Sequence, residues 1–397
     1  MKILVLTSIY KGPDIPSNFT PVVHYFAKEW NIKNTVIVIH NLAYYHRIFY
    51  LASFFFGKII ANLTGTNVPE KRLTQIIKYK IDGVNVYRLP IYKPIPFLKF
   101  SNKTLKNHNK LILKVLKNAN FTPDVAIGHW GNPQLKLLEA LKSENPKIQT
   151  LLTLHYDGEK LYRTYYDSFK NDLKYIDLIG FRNISDRNSF QRKHKSLSKK
   201  TFICPSGLPK SFFLNKRSVS SNFKNFIFIG TLIKRKYPNL ILDVLYEIFK
   251  SEFTMTFIGS GFLIKNIKKT VKKYNLTSVL FHNKLSRDEV ISKLDIADCL
   301  IMISEDEAFG LVYLEAMARG CIVIASLNEG MDGIIVDGQN GFLCKSGDKK
   351  DLTKKLKYIS QLTNEELIKV KKNAIATSKN YSDEKVASDY LSKISLK

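Results

Sequence analysis

From 299 to 325 the chain reads as an apolar run, a polar loop, a helix and a second apolar run. Both apolar runs, 299–303 and 321–325, have the length of a strand. Two strands joined through a helix pair in parallel by a crossover, so this stretch commits the chain to a parallel sheet covered by helices. The loop, Ser304-Glu305-Asp306-Glu307-Ala308, ends at Phe309-Gly310. A helix then runs to Arg319, where Gly320 supplies the usual stop. Its start offers free amides and the positive end of the helix dipole, a setting that attracts phosphate. Glu307 lies just before the helix and Glu315 roughly two turns into it. One carboxylate can therefore reach forward to a ligand while the other lies along its flank.

The rest of the chain repeats this alternation. Strand-like runs are predicted at 3–6, 35–40, 84–89, 125–129, 148–155, 178–181 and 201–204, with helices at 21–30 and 134–142. From 206 to 221 the apolar period gives way to Pro, Ser, Lys and Asn, which is linker chemistry. A second set follows: strands at 226–229, 255–258 and 279–281, helices at 239–249, 263–274 and 288–294, and then the stretch described above. Such alternation predicts an α/β chain of two Rossmann-like, doubly wound domains. At 397 residues two cores are expected rather than one. The expected division is 1–205, a linker at 206–221, 222–380, and a C-terminal helix within 381–397.

Charge and cysteine content narrow the class. Lys and Arg number 62 against 34 Asp and Glu, a formal net charge of +28, which invites an anionic membrane or a polyanion as partner. The basic residues are scattered and no nucleic-acid-binding motif appears, so nucleic acid is not expected. Cys204, Cys299, Cys321 and Cys344 lack C-x-x-C spacing and read as small buried residues of a reducing compartment. The opening run is too short for a secretory signal and reads as a first strand, which predicts a cytoplasmic protein. The aromatic-rich stretch 42–60, interrupted by His46, Arg47 and Lys58, is shorter than a membrane span. Two readings of it stand: a segment lying in a membrane interface, or a core helix.

The spacing Glu307-x7-Glu315 around Phe309-Gly310-Leu311 resembles the nucleotide-sugar signature of the retaining, GT-B-fold glycosyltransferases of family 4. The resemblance implies that Glu307 contacts the donor sugar. It also implies that the backbone at Phe309, Gly310 and Leu311 holds the diphosphate, and that Glu315 accepts hydrogen bonds from the ribose. Gly230-Thr231-Leu232-Ile233-Lys234-Arg235-Lys236-Tyr237 resembles the family's G-R-L-x-x-x-K-G, with Lys236 on the pyrophosphate. Thr231 stands at the arginine position and Tyr237 at the glycine, and Arg235 is the candidate replacement cation. Gly259 and Gly261 resemble the family's strand-end G-x-G, where a missing side chain lets backbone approach a nucleotide. Leu285 falls in the loop that lines the base pocket.

In the first half, Thr153-Leu154-His155-Tyr156-Asp157 resembles the family's T-x-H-x-D, which makes His155 a catalytic candidate beside Lys236 and Glu307. His129 and Trp130 end the preceding strand and are candidates for the acceptor wall. Cys204-Pro205-Ser206-Gly207 corresponds to P-N-G, and 328–341 to the distal loops. The loop Asn18-Phe19-Thr20-Pro21 departs from the paired glycines of many members. No D-x-D occurs and the histidines lack metal-site spacing, so a metal-independent enzyme with no cofactor is expected.

The resemblance thus implies two domains facing across a cleft, with the acceptor on 1–205, the nucleotide sugar on 222–380, and the last helix crossing back to the first. It implies retaining transfer from a nucleotide sugar, UDP-linked by family frequency, to a glycan or lipid-linked acceptor, at the inner face of a bacterial membrane. One alternative stays open: a non-catalytic relative, or a basic protein, that keeps the fold and holds a membrane or polyanion.

Overall fold

The computed structural model describes residues 1–13, 22–50, 72–95, 98–155, 173–213 and 220–394. It divides into two compact units. The first comprises Met1–Phe181, Lys193–Phe202 and Ala387–Lys397, and the second Arg182–Arg192 and Ile203–Val386.

The first unit is built on an eight-stranded sheet of order β3-β4-β2-β1-β5-β6-β7-β8. Its strands are β1 (Lys2–Thr7), β2 (Thr35–Tyr44), β3 (Ile77–Ile81), β4 (Val84–Tyr92), β5 (Val125–His129), β6 (Gln149–Leu154), β7 (Leu178–Phe181) and β8 (Thr201–Ile203). β1 pairs in parallel with β2 and β5, and β5 with β6. β3 is antiparallel to β4. That hairpin turns through Asp82 and Gly83, both with positive φ, the chemistry of a tight two-residue turn. β1 is buried on both faces over Ile3–Thr7, as a parallel strand between two helix layers must be. α1 (Val22–Trp30), α2 (Asn102–Asn118) and α3 (Gln134–Glu144) supply apolar faces to that core. The C-terminal residues complete it. Tyr390 is buried, its hydroxyl 2.7 Å from Thr153 Oγ1, and Trp30 Nε1 donates to the Ala387 carbonyl at 2.9 Å.

The second unit carries β9 (Asn225–Ile229), β10 (Thr254–Ile258), β11 (Val279–His282), β12 (Cys299–Ile301), β13 (Ile322–Ser326) and β14 (Phe342–Cys344). Their order is β11-β10-β9-β12-β13-β14, and all five pairings are parallel. Counted from β9, that is the 3-2-1-4-5-6 order of the Rossmann sheet, in which ligands bind outside the carboxyl ends of the strands where the order reverses. Here the reversal falls between β9 and β12. The helices of this unit include α4 (Ile184–Lys193, all but its last residue), α5 (Pro238–Phe249), α6 (Ile264–Lys273), α7 (Arg287–Ile296), α8 (Leu311–Ala318), α9 (Lys349–Ser360) and α10 (Asn364–Ser378); α11 (Asp383–Leu391) begins in it and passes into the first unit at Ala387. α7 opens with a complete capping box between Ser286 and Glu289. α8 begins after Gly310 at φ 73° and stops at Gly320 at φ 77°.

Several expectations change in the fold. The 206–221 stretch is not bare linker over its described part: Leu208 and Phe212 are fully buried in the second unit's core, because the apolar residues scattered there dock as single anchors. Leu208 also bridges to Ser382. Within 42–60, residues 42–44 continue β2 and a helical turn opens at 47; 51–60 lie outside the described residues, as do Asn18-Phe19-Thr20-Pro21 and Tyr156-Asp157. All four cysteines are free and buried. Among the described residues no helix is long and apolar enough to cross a membrane.

Candidate active site

Two loops leave the carboxyl ends of β9 and β12, on either side of the strand-order reversal. The first, Gly230–Tyr237, lies against the loop after β10: Gly230 N donates to the Ile258 carbonyl and Leu232 N to that of Ser260, each at 2.9 Å. This contact explains the glycines. A Cβ on Gly259 would lie 2.1 Å from the Gly230 carbonyl oxygen, and one on Gly261 2.3 Å from that of Leu232. Their freedom is used where backbone crosses backbone. At Gly230 the space a side chain would need is taken by Lys236, with Nζ 3.4 Å from the would-be Cβ.

Lys236 is buried and its Nζ donates to Glu307 Oε2 at 2.9 Å. It also lies 3.6 Å from Met302 Sδ. The fold therefore brings together two residues 71 positions apart in the sequence. Little water screens the attraction within a pair this enclosed, and removing either partner would leave a buried charge uncompensated. Arg235 turns the other way. Its Nη1 donates to the carbonyls of Glu305 at 2.6 Å and Asp306 at 3.3 Å, while its own carbonyl accepts from Glu305 N at 2.8 Å. Arg235 thus ties the first loop to the second. Thr231 is exposed at the loop's edge.

Tyr237, at the expected glycine position, has φ 49° and ψ 40°. Left-handed backbone is where glycine costs nothing, so the departure from the family pattern carries strain. Its ring fills the space over Gly347, and a hydrogen bond to Glu305, with lesser desolvation, pushes its hydroxyl pKa up to about 12.

The second loop is held from several sides. Asn183 Nδ2 donates to the Ala308 carbonyl at 2.7 Å, and the Arg182 guanidinium lies 5.5 Å from the Phe309 ring centre. Ser346 Oγ donates to the Ser304 carbonyl at 2.7 Å. Glu329 accepts from Asp306 N at 3.2 Å and Glu307 N at 2.8 Å. Arg182, Asn183 and Glu329 escape sequence reasoning, since a lone residue in a distant loop has no spacing to read.

Gly310 precedes α8 without any side-chain cap. A Cβ there would meet the Tyr313 ring at 2.3 Å, and its positive φ also favours glycine. In the first turn of α8 Tyr313 N donates to the Gly310 carbonyl at 3.0 Å, and no side chain caps the amides before it. Glu315 lies one turn into α8, not two, because the helix starts only at Leu311. Burial pushes its carboxyl above the ordinary range, Arg287 countering weakly. Leu285 is half-buried against the core.

In the first unit, His129 and Trp130 end β5 beside the reversal in that sheet, between β1 and β5. His129 Nδ1 lies 3.1 Å from His155 Nε2, and Trp130 stacks on His155 with centroids 4.3 Å apart. Trp130 takes φ 72° to make that turn. The three candidates form one cluster. Among the described residues no group of three or more His, Cys, Asp or Glu is placed to hold a metal ion.

Residues 210–377 match the family model described as "Glycosyl transferases group 1". The matched segment lies within the second unit. An uncharacterized glycosyltransferase of Methanocaldococcus jannaschii is 27% identical over 321 residues, covering 78% of this chain and 86% of that protein. The N-acetyl-alpha-D-glucosaminyl L-malate synthase of Bacillus anthracis is 32% identical over 132 residues, 33% of this chain and 34% of its own length. Among solved structures, a glycosyltransferase from Rickettsia africae superposes with a TM-score of 0.69 at 18% identity, covering 99% of this chain and 97% of that one. Anabaena HepE, solved with UDP and glucose, superposes with a TM-score of 0.66 at 16% identity, covering 99% and 100%. The fold is GT-B, as the resemblance implies, with the two Rossmann-like domains that the alternation of runs predicts.

Proposed function

We propose that this group 1 glycosyl transferase domain moves a sugar from a UDP-sugar to a glycan or lipid-linked acceptor with retention of configuration. The observation that carries the reading is the meeting of Lys236 and Glu307 at the carboxyl ends of β9 and β12, with Glu315 one turn into the neighbouring helix. Glu307 accepts from a hydroxyl of the donor sugar while the Lys236 contact aims its carboxylate. An ammonium has three donors, and those not spent on Glu307 are available to the departing diphosphate. The amides at Gly310 and Leu311 and the positive end of α8 take the remaining phosphate charge. Glu315 accepts the ribose hydroxyls, and Leu285 borders the base. On the first unit, His155, His129 and Trp130 form the acceptor wall, with His155 bonding a sugar hydroxyl. Retention is supported by the resemblance to family 4, where the leaving phosphate serves as base to the incoming hydroxyl. The expected setting is surface polysaccharide synthesis at the cytoplasmic face of a bacterial membrane.

A second reading, a fold retained for binding alone, is favoured by the exposed Thr231 where an arginine is usual. A surface groove of about 720 Å³ lined by Lys349, Lys350, Lys354 and Lys357 offers it a polyanion site. A thermal-shift screen of UDP-, GDP- and ADP-sugars followed by turnover decides between the two. A ligand at a hundredfold over its Kd adds about 2.7 kcal/mol of stability, enough to rank the bases. Lys236→Ala should then lower turnover by roughly a hundred- to a thousandfold, as for loss of one preorganised donor. No stabilisation by any sugar nucleotide, or undiminished turnover in Lys236→Ala, overturns the transfer reading.

A further inference from the structure

Asp306 and Glu307 present two successive amides to one side of their loop, a concavity made by the positive φ of Asp306, 53°. Such a nest of N–H groups ordinarily takes an anion. Here the anion belongs to the protein: the two oxygens of Glu329 accept one amide each, at 3.2 and 2.8 Å. Glu329 comes from the loop after β13, which is pressed onto this backbone by Gly330. A Cβ on Gly330 would lie 2.6 Å from the Phe309 Cα and 2.7 Å from the Glu307 carbonyl oxygen, so no other residue allows that approach. The carboxylate is half-buried, and burial raises its pKa; the two amide hydrogen bonds oppose that rise, and the charges of Asp306 and Glu307 add to it. A group serving only as packing would be better neutral. What the position gains from an ion is a pair of strong acceptors for two parallel donors.

We infer that Glu329 is the positioning residue of the donor loop: by holding the amides of Asp306 and Glu307 it aims the Glu307 carboxylate at Lys236 and at the donor sugar. This rests on the donor-site reading of Glu307. It also gives the β13 loop a share in the reaction without contact with substrate. With the nest filled by Glu329, the amides at Gly310 and Leu311 are the ones this reading gives to the donor's phosphates.

The isosteric change Glu329→Gln turns one acceptor into a donor facing an amide N–H, and so breaks one of the two bonds, donor against donor, while keeping shape. Its kcat should fall by about a hundredfold, the scale of a misplaced catalytic group, with the KM for the UDP-sugar and the affinity for UDP unchanged. In a Glu307→Gln background the same substitution should cost nothing further, because its effect passes through Glu307. Should Glu329→Gln not fold, Glu329→Ala is read in the same cycle. Wild-type kcat in Glu329→Gln beside a crippled Glu307→Gln overturns this inference alone. So does a defect that persists in full in the Glu307→Gln background, or one that appears as lost UDP affinity. Wild-type turnover in Glu307→Gln overturns the donor-site reading and this inference with it.

Discussion

Glu315, the proposed ribose acceptor, carries a cost to the fold. Burial disfavours its ionised form and raises its pKa, Arg287 opposing only through space. At the acid end both folded and unfolded chains hold the proton, so the residue is without cost there. As pH rises from the ordinary carboxyl range through the folded value, the unfolded chain ionises first and the fold loses stability. Glu315→Gln removes that titration. Its melting temperature should exceed the wild type's at about pH 7.5 and converge with it near about pH 4. Calorimetry should at the same time show UDP affinity lower by about 1.5–3 kcal/mol, the value of charged hydrogen bonds to the ribose. Equal melting temperatures at neutral pH would mean the carboxylate is not destabilising the fold.

At the scale of elements, α10 is fastened to the start of β9 by a buried charge. Lys371 Nζ donates to the carbonyls of Ser220 and Asn222, each at 3.0 Å, and lies 3.6 Å from Asp298. Asp298 in turn accepts from the amides of Lys224 and Asn225 at 3.2 and 2.9 Å. Lys371→Ala would leave Asp298, 1% exposed, without its buried cation. We expect a loss of about 3–5 kcal/mol in urea unfolding, with Asp298→Asn recovering part of it. A loss below 1 kcal/mol, the scale of a surface pair, would show that water reaches the site. The same scale holds a hairpin legible but unread: Asp82-Gly83 between alternating runs announces the antiparallel β3–β4 pair, the strand-to-strand turn that the parallel pattern elsewhere obscures.

For the whole molecule, the net charge of +28 motivates binding to anionic lipid. Each basic residue at such a surface adds about 1 kcal/mol, screened by salt. Flotation with vesicles should show binding to phosphatidylglycerol-containing but not neutral ones, lost at high ionic strength. Equal binding to both, or to neither, sinks the electrostatic attachment.

The sequence determined the class of fold because alternating apolar runs admit a parallel sheet with few topologies, and it marked the loop before α8 through a dense local spacing. Periodicity is a short-range signal, however, and contacts across strand-order reversals are not periodic. Tertiary structure alone decided that Lys236 meets Glu307, that Arg235 is occupied by the carbonyls of Glu305 and Asp306, and that Glu329 fills the nest beside them. It also decided that Arg182–Arg192 folds with the second unit and Ala387–Lys397 with the first. The polar stretch 206–213 shows the reason in small. Its composition reads as linker, yet Leu208 and Phe212 find apolar partners far along the chain, and burial depends on those partners rather than on neighbours in sequence.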